Sequence, residues 1–345
     1  MRALVNRLHI ETIENYRDEK LISSMSNGVN IIGEDDFQTV MSNQVKNWRD
    51  TVVKSADFKS FDGSKLRYYY EMPENAKAVI VILHGFCEFW GKYHEMAWYF
   101  REAGYGFFFL EQRGHGYSER TVDRLDLVHV HNYEQYVEDL HEFVNQVVVP
   151  MNGNRNLYLY THSMGGAIGA LFLEKYPDYF QKAIFSSPML EMNTGSIPKP
   201  IISVYIAYLK LRGKMKELSI GQSYFDGKPI FKESSCQSKA RYDYQFEQRL
   251  LNEYYQMYGG TFGWVSASLK ANRELLRYAE KVCIPLIMFT AGNDHLVKAE
   301  GQLTFAKKSS DTMVINYTES KHEIFNSVDY IRTDYYARIF DFLDL

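Results

Sequence analysis

Cysteine is scarce in this 345-residue chain: Cys87, Cys236 and Cys283 stand apart, with no CxxC spacing among them. That speaks against a thiolate zinc site and against a disulfide-stapled secreted scaffold, and a reducing compartment fits best. Proline is sparse at 8 residues, and neither an internal repeat nor a low-complexity tract interrupts the chain, so disorder and solenoid architectures are not expected. No basic field is present. The 39 Lys and Arg against 43 Asp and Glu give a net charge of -4, which disfavours a nucleic-acid partner and leaves a small molecule as the expected ligand. Long apolar runs are missing as well. The leading MRALVNRLHIETIENYRDEK mixes both charge signs without the apolar centre of a signal peptide, and the longest apolar stretch, Ile201 to Leu209, is too short to cross a bilayer. A soluble, cytoplasmic protein is expected.

What is present is 46% apolar residues, enough for a full core, in a regular rhythm. Asp35-Asp36 opens a helix whose apolar face carries Phe37, Val40, Met41, Val45 and Trp48, and residues 1–56 are expected to form a helical extension packed on the main body. From Asp57, DFKS, a turn at Asp62-Gly63 and KLRYYYEM predict a hairpin. AVIVILHG, GFFFLEQRG, NLYLYTHSMGG, KAIFSSP, IPLIMFTAGND and DTMVINYT read as buried strands. Between and after them lie the helical KYHEMAWYFREAG and YEQYVEDLHEFVNQVV, a helix from Met164 to about Lys175, a short helix and a C-terminal amphipathic helix. Alternation of this kind predicts an α/β fold with a doubly wound, mostly parallel sheet. The rhythm breaks once, so 57–190 and 281–345 are expected to form the core and 191–280 an inserted helical cap.

Thr161-His162-Ser163-Met164-Gly165-Gly166 falls where a predicted buried strand turns directly into a predicted helix, the context in which a GxSxG-like motif carries meaning. Such a turn holds its serine in a strained backbone conformation with the hydroxyl exposed, and Gly165 and Gly166 let strand and helix approach closely. Thr161 stands where the motif has glycine and would crowd the turn. Read alone, Ser163 has a second, lesser reading as a helix N-cap. A serine hydroxyl becomes a useful nucleophile only when a histidine takes its proton, and that histidine needs a carboxylate to fix its tautomer. Asp294 follows IPLIMFTAGN and His322 follows DTMVINY, so both belong on loops at the carboxyl edge that carries Ser163, in the order Ser, Asp, His. Singly they read as a turn aspartate and a loop histidine; at these strand ends together they read as a catalytic triad. AVIVIL ends in His84-Gly85-Phe86, whose loop is placed to aim a backbone N–H, that of Phe86, above the nucleophile, with Met164 N–H as the second oxyanion donor.

HGFCE, EQRGHGYS, THSMGG, AGNDHLV and SKHEIFN, in that order, resemble the monoacylglycerol lipase and lysophospholipase group of α/β-hydrolases, from about Asp57 to the C-terminus. Gly259-Gly260-Thr261-Phe262-Gly263-Trp264 is similar to the bacterial lysophospholipase L2 branch. The resemblance implies an α/β-hydrolase fold, a cofactor-free serine esterase, and the same five residues: Ser163, Asp294, His322, Phe86 and Met164. Glu88 is followed by Phe89, where the monoacylglycerol lipases usually carry histidine, so specificity for monoacylglycerol does not follow. Glu111 stands where the family usually has aspartate. Glu111 and Arg113 read as structural charges, with Glu88 a candidate partner for Arg113. His129, His131 and His141 lack a completing ligand spacing, and no metal is expected.

The 191–280 segment is rich in aromatic residues, from Tyr205 and Tyr208 through Tyr242, Tyr255 and Trp264. More than half are expected to pack the cap onto the core, the rest to line an acyl-chain channel. Between Glu191 and Lys232, Lys199, Lys210, Arg212, Lys214, Lys216, Lys228 and Lys232 outnumber Glu191, Glu217 and Asp226. That excess suits transient contact with the inner membrane surface, and a plain solvated face equally. The expected substrate is a single-chain acyl lipid, with a lysophospholipase ahead of a monoacylglycerol lipase or general carboxylesterase. A peptidase or a non-catalytic binding protein on the same scaffold stands behind them.

Overall fold

The alternation of side chains along a strand decides which layer of the molecule each residue serves. In the computed structural model, which describes residues 9–14, 28–195 and 199–345 with backbone alone at 199 and 200, Val79–Leu83 (β4) sends Val79, Val81 and Leu83 into one core and Ile80 and Ile82 into another. Gly106–Leu110 (β5), Leu157–His162 (β7), Lys182–Ser186 (β8), Leu286–Ala291 (β10) and Thr312–Tyr317 (β11) divide their apolar side chains in the same way. Burial on both faces is why these strands read as nearly continuous apolar runs. Lys54–Lys59 (β2) and Lys65–Glu71 (β3) form the expected hairpin.

Among the described residues these strands and His9–Ile13 (β1) build a nine-stranded sheet in the order β1-β11-β10-β8-β7-β4-β5-β3-β2. It is antiparallel only at β2/β3 and β3/β5. Leu127–Val128 (β6) and Gly259–Gly260 (β9) make a separate parallel pair. One face is covered by the helices Glu134–Phe143, Met164–Lys175, Phe262–Tyr278 and Ala299–Lys308. The other carries Phe37, Met41, Val45 and Trp48 from the segment before β2, with the helices His94–Glu102 and Asp329–Asp344. No helix among the described residues is long and apolar enough to cross a membrane.

Part of the expected helical extension is not helical. His9–Ile13 is an edge strand parallel to β11, held by Arg338, which donates to Glu11 at 2.9 and 2.7 Å. Only half-buried residues face inward along it, so no apolar run marks the strand in the sequence. Residues 1–8 and 15–27 of that extension lie outside the described residues.

Two buried charges near the sheet edge behave differently. Arg113 does not pair with Glu88, which is already bonded by Lys92, Tyr93 and the Gly85 N–H. It donates twice to Asp139 at 2.7 Å and to Asp62 at 2.8 Å, tying the β2-β3 turn to the helix Glu134–Phe143. Glu111 has no cation in contact among the described residues; it accepts the N–H groups of Tyr117 at 2.7 Å and Trp90 at 3.3 Å. Burial therefore dominates and pushes its pKa up to about 7 from an ordinary 4.5. The folded state thus holds a proton between those values that the unfolded chain has released, and the group's contribution to stability falls as pH rises through that window. In denaturant unfolding at pH 5 and pH 8, wild type is expected to lose about 3 kcal/mol relative to Glu111→Gln across the interval. A difference between the two proteins that does not change with pH would mean that the carboxyl is ionised throughout.

Candidate active site

β7 ends at His162 and a helix begins at Met164, so Ser163 alone makes the turn, with φ 51° and ψ -115°. This left-handed conformation is costly for a residue with a Cβ and persists only where its surroundings over-determine it. Here the Ser163 N–H donates to the Ser186 carbonyl at 3.0 Å, and the Ser163 carbonyl accepts from Gly166 and Met189, both at 2.9 Å. Its hydroxyl makes no capping bond, which removes the N-cap reading. The glycines are sterically required. A Cβ on Gly165 would lie 2.4 Å from the Leu83 carbonyl oxygen, and one on Gly166 would lie 2.4 Å from Pro188 Cβ. The crowding expected from Thr161 is absorbed by a third glycine, since a Cβ on Gly169 would stand 2.8 Å from the Thr161 methyl. Ser163 as a whole is only 8% exposed.

Asp294 and His322 leave β10 and β11 at the same edge. Asp294 Oδ1 accepts the N–H groups of Leu296 at 2.8 Å and Val297 at 3.1 Å, while Oδ2 lies 2.6 Å from His322 Nδ1. Burial works to raise the Asp294 pKa, but the His322 ring and the two N–H donors outweigh it and hold the carboxyl below its usual value. His322 Nε2 is buried and has no hydrogen-bond partner among the described residues. The His322 ring rests against His162, the residue before Ser163, with ring centroids 4.9 Å apart.

In the loop after β4 three N–H groups have partners. Gly85 N–H donates to Glu88, Cys87 N–H to His115 Nε2 at 3.1 Å and Glu88 N–H to the Gly85 carbonyl at 3.4 Å. Phe86 N–H has no partner among the described residues, and neither does Met164 N–H at the start of its helix. The side chains of these two residues share a cover. Trp264 stacks on Phe86 with centroids 3.9 Å apart and its Nε1 lies 3.4 Å from Met164 Sδ. The local sequence explains how the tryptophan gets there. A Cβ on Gly260 would crowd Trp264 at 3.0 Å and Phe86 at 3.1 Å, Thr261 Oγ1 caps the helix on Trp264 N–H at 3.2 Å, and Gly263 lies against the His129 ring. His129 is thus a packing residue bonded to Thr261 at 2.8 Å, and among the described residues no group of side chains could hold a metal ion.

Sequence reasoning missed the charges beneath this edge. Lys92, four residues after Glu88, bridges that carboxylate and Glu323, the residue after His322, the latter at 2.8 Å. All three are buried; burial opposes their charging, but the mutual attraction wins and keeps the lysine protonated and both carboxyls ionised. Arg249, from the 191–280 segment, donates to the Cys87 carbonyl at 2.7 Å. The i,i+4 spacing of Glu88 and Lys92 was the only visible signal.

A doubly wound sheet that brings a serine on a strained turn and an imidazole on a carboxylate to one edge is the architecture of the α/β-hydrolases, and the chain is a serine hydrolase of that class. It belongs to the family described as serine aminopeptidase, S33, whose model matches residues 74–329. It is 25% identical over 293 residues to a probable lysophospholipase L2 of Haemophilus influenzae, covering 81% of this chain and 89% of that protein. It is 24% identical to a monoacylglycerol lipase of Mycolicibacterium smegmatis, covering 78% and 90%. Among solved structures, a soluble variant of the monoglyceride lipase of Saccharomyces cerevisiae with a substrate analogue superposes with a TM-score of 0.67 at 19% identity, covering 85% of this chain and 95% of that one. A carboxyl esterase of Bacillus coagulans gives a TM-score of 0.68 at 18% identity, covering 85% and 98%.

The fit of helix to strand at the serine turn is directly testable. Gly165→Ala is expected to cost roughly 1–3 kcal/mol of stability through overpacking and to lower ester hydrolysis by about a hundredfold through displacement of the turn. Unfolding and turnover measured on the same preparation decide it, and near-normal values for both would mean that the turn has room for a methyl group.

Proposed function

We propose that the protein hydrolyses the ester of single-chain acyl lipids, as a lysophospholipase, with Ser163 as nucleophile, His322 as general base and acid, and Asp294 as the orienting carboxylate. The observation that carries the reading is the state of His322: Nδ1 is held on Asp294 at 2.6 Å, so the buried, unpartnered Nε2 is the nitrogen left to accept a proton. Ser163 Oγ attacks the acyl carbonyl as its proton passes to His322 Nε2. The tetrahedral oxyanion is received by the N–H groups of Phe86 and Met164. Collapse breaks the ester C–O bond, the proton passes from His322 to the leaving alcohol, and water hydrolyses the acyl-serine by the same route. Nothing in this sequence of steps calls for a cofactor.

Support for a lipid substrate comes from the lysophospholipase and monoacylglycerol lipase relatives and from the apolar cover of Phe86, Met164 and Trp264 beside the serine turn. We read 57–190 and 281–345 as the core, 1–56 as an extension and 191–280 as a cap. Tyr255, Phe262 and Trp264 are buried packing residues, whereas Tyr205, Tyr208, Tyr224, Tyr254 and Tyr258 are exposed, so fewer of the cap aromatics are buried than expected. The cap helix Lys199–Leu211 presents Ile201, Val204, Tyr205, Tyr208 and Leu211 outward, and Lys210, Arg212, Lys214 and Lys216 follow on or beside it. Apolar side chains rimmed by cations suit insertion at an anionic lipid surface, which favours a peripheral place at the inner membrane face. Lys199, counted with these cations from the sequence, lies outside the side chains described.

A substrate panel tests the reading. The specificity constant is expected to rise severalfold per methylene from acetyl towards medium and long chains, since each buried methylene contributes about 0.8 kcal/mol. Lysophosphatidyl substrates should exceed monoacylglycerols of the same chain, and anionic vesicles should raise the rate over neutral ones in a salt-sensitive way. A flat chain-length profile would remove the acyl site, and indifference to vesicle charge would remove the membrane contact alone.

A further inference from the structure

Beside the 191–280 segment lies a cavity of about 280 Å³. Its size is at the small end for ligand pockets, which run from about 300 to 1,000 Å³. It suits a compact polar group better than a long acyl chain. Its walls touch both loops that flank the proposed chemistry. Glu323, in the wall, follows His322 directly, and Arg249, also in the wall, holds the Cys87 carbonyl next to Phe86 at 2.7 Å.

The charges of this cavity fall into two sets. Lys92 and Glu323 satisfy each other, and Lys92 is further bonded by Glu88. The second set has no ionic partners among the described residues. Arg249 bonds only carbonyl oxygens, those of Cys87, Tyr255 and Met257. Lys228 and Glu233 are exposed at the wall and enter no ion pair. Gln245, from the helix that carries Arg249, has a buried Nε2 with no hydrogen-bond partner. A partly buried guanidinium without a carboxylate, an ammonium and an amide donor are groups that favour a phosphate, and a carboxylate beside them favours a cation.

We infer that this cavity is the head-group subsite and takes a zwitterionic phosphodiester, its phosphate towards Lys228 and Arg249 and its ammonium towards Glu233. The inference rests on the lysophospholipase reading and deepens it. In that reaction the head group leaves with the alcohol that His322 protonates, so a place for it beside the histidine loop suits the chemistry. A monoacylglycerol carries neither charge and makes no use of Lys228 or Glu233.

The test compares lysophosphatidylethanolamine, lysophosphatidylglycerol and monoacylglycerol of one acyl chain on wild type, Lys228→Gln and Glu233→Gln, both exposed positions at which folding is not at stake. Lys228→Gln is expected to lower the preference for either lysophospholipid over monoacylglycerol about tenfold, mainly through KM, the loss of one charge-assisted contact. Glu233→Gln is expected to lower the preference for the ethanolamine over the glycerol head group by a similar factor. If wild type turns over lysophospholipids and neither substitution changes these ratios, the subsite is overturned and the lysophospholipase reading stands. If wild type cleaves monoacylglycerol and neither lysophospholipid, both fall together.

Discussion

Everything at the proposed catalytic edge depends on how closely one helix can approach one strand. The start of the helix Met164–Lys175 passes over the end of β4 with the Leu83 carbonyl where a Cβ of residue 165 would be. That contact fixes the helix start and with it the left-handed turn at Ser163, and the Met164 N–H has no partner among the described residues. The same strand end launches the loop that carries Phe86 N–H. On the proposed reading, the Phe86 N–H would join the Met164 N–H and the Ser163 hydroxyl at this corner, supplying the preorganisation that oxyanion stabilisation requires. Mobility in any of these three would cost catalysis more than stability.

Around that corner the buried charges act as braces. Glu88 receives the Gly85 N–H and is bonded to Lys92, and Lys92 reaches Glu323 beside His322, so one lysine joins the oxyanion loop to the histidine loop. A buried ion pair is a weak source of net stability, because desolvation offsets most of the attraction. Its use here is geometric: removing one member would leave the others charged and unmatched, which penalises every alternative arrangement of the two loops. Arg249 extends the bracing to the cap segment, since its guanidinium holds the carbonyl of Cys87, a residue with φ 57°.

Much of the fold is legible in the sequence because a sheet buried on both faces needs long apolar strands, and β4, β5, β7, β8, β10 and β11 each show one. The helix from Met164 to Lys175 is legible for the same reason. β1 is not, because an edge strand of mixed polarity has no period strong enough to mark it. Within the site, Ser163, Asp294 and His322 are recognisable by their places at strand ends, and the His322 contact with Asp294 joins two of them. Arg113 was matched to the wrong carboxylate because sequence order does not reveal that Glu88 is already occupied by Lys92. The roles of Gly260 and Trp264 are hidden for a related reason: both answer Phe86, far away in sequence.

The central claim is that Ser163 is a nucleophile activated by His322, and covalent labelling tests it most directly. A fluorophosphonate probe reacted with the full-length protein and followed by peptide mapping is expected to modify one residue, Ser163, to a stoichiometry near one. His322→Ala should slow that modification by several orders of magnitude, as expected when a nucleophile and its base act as a unit. Labelling at another residue, or a rate unchanged in His322→Ala, would contradict the account.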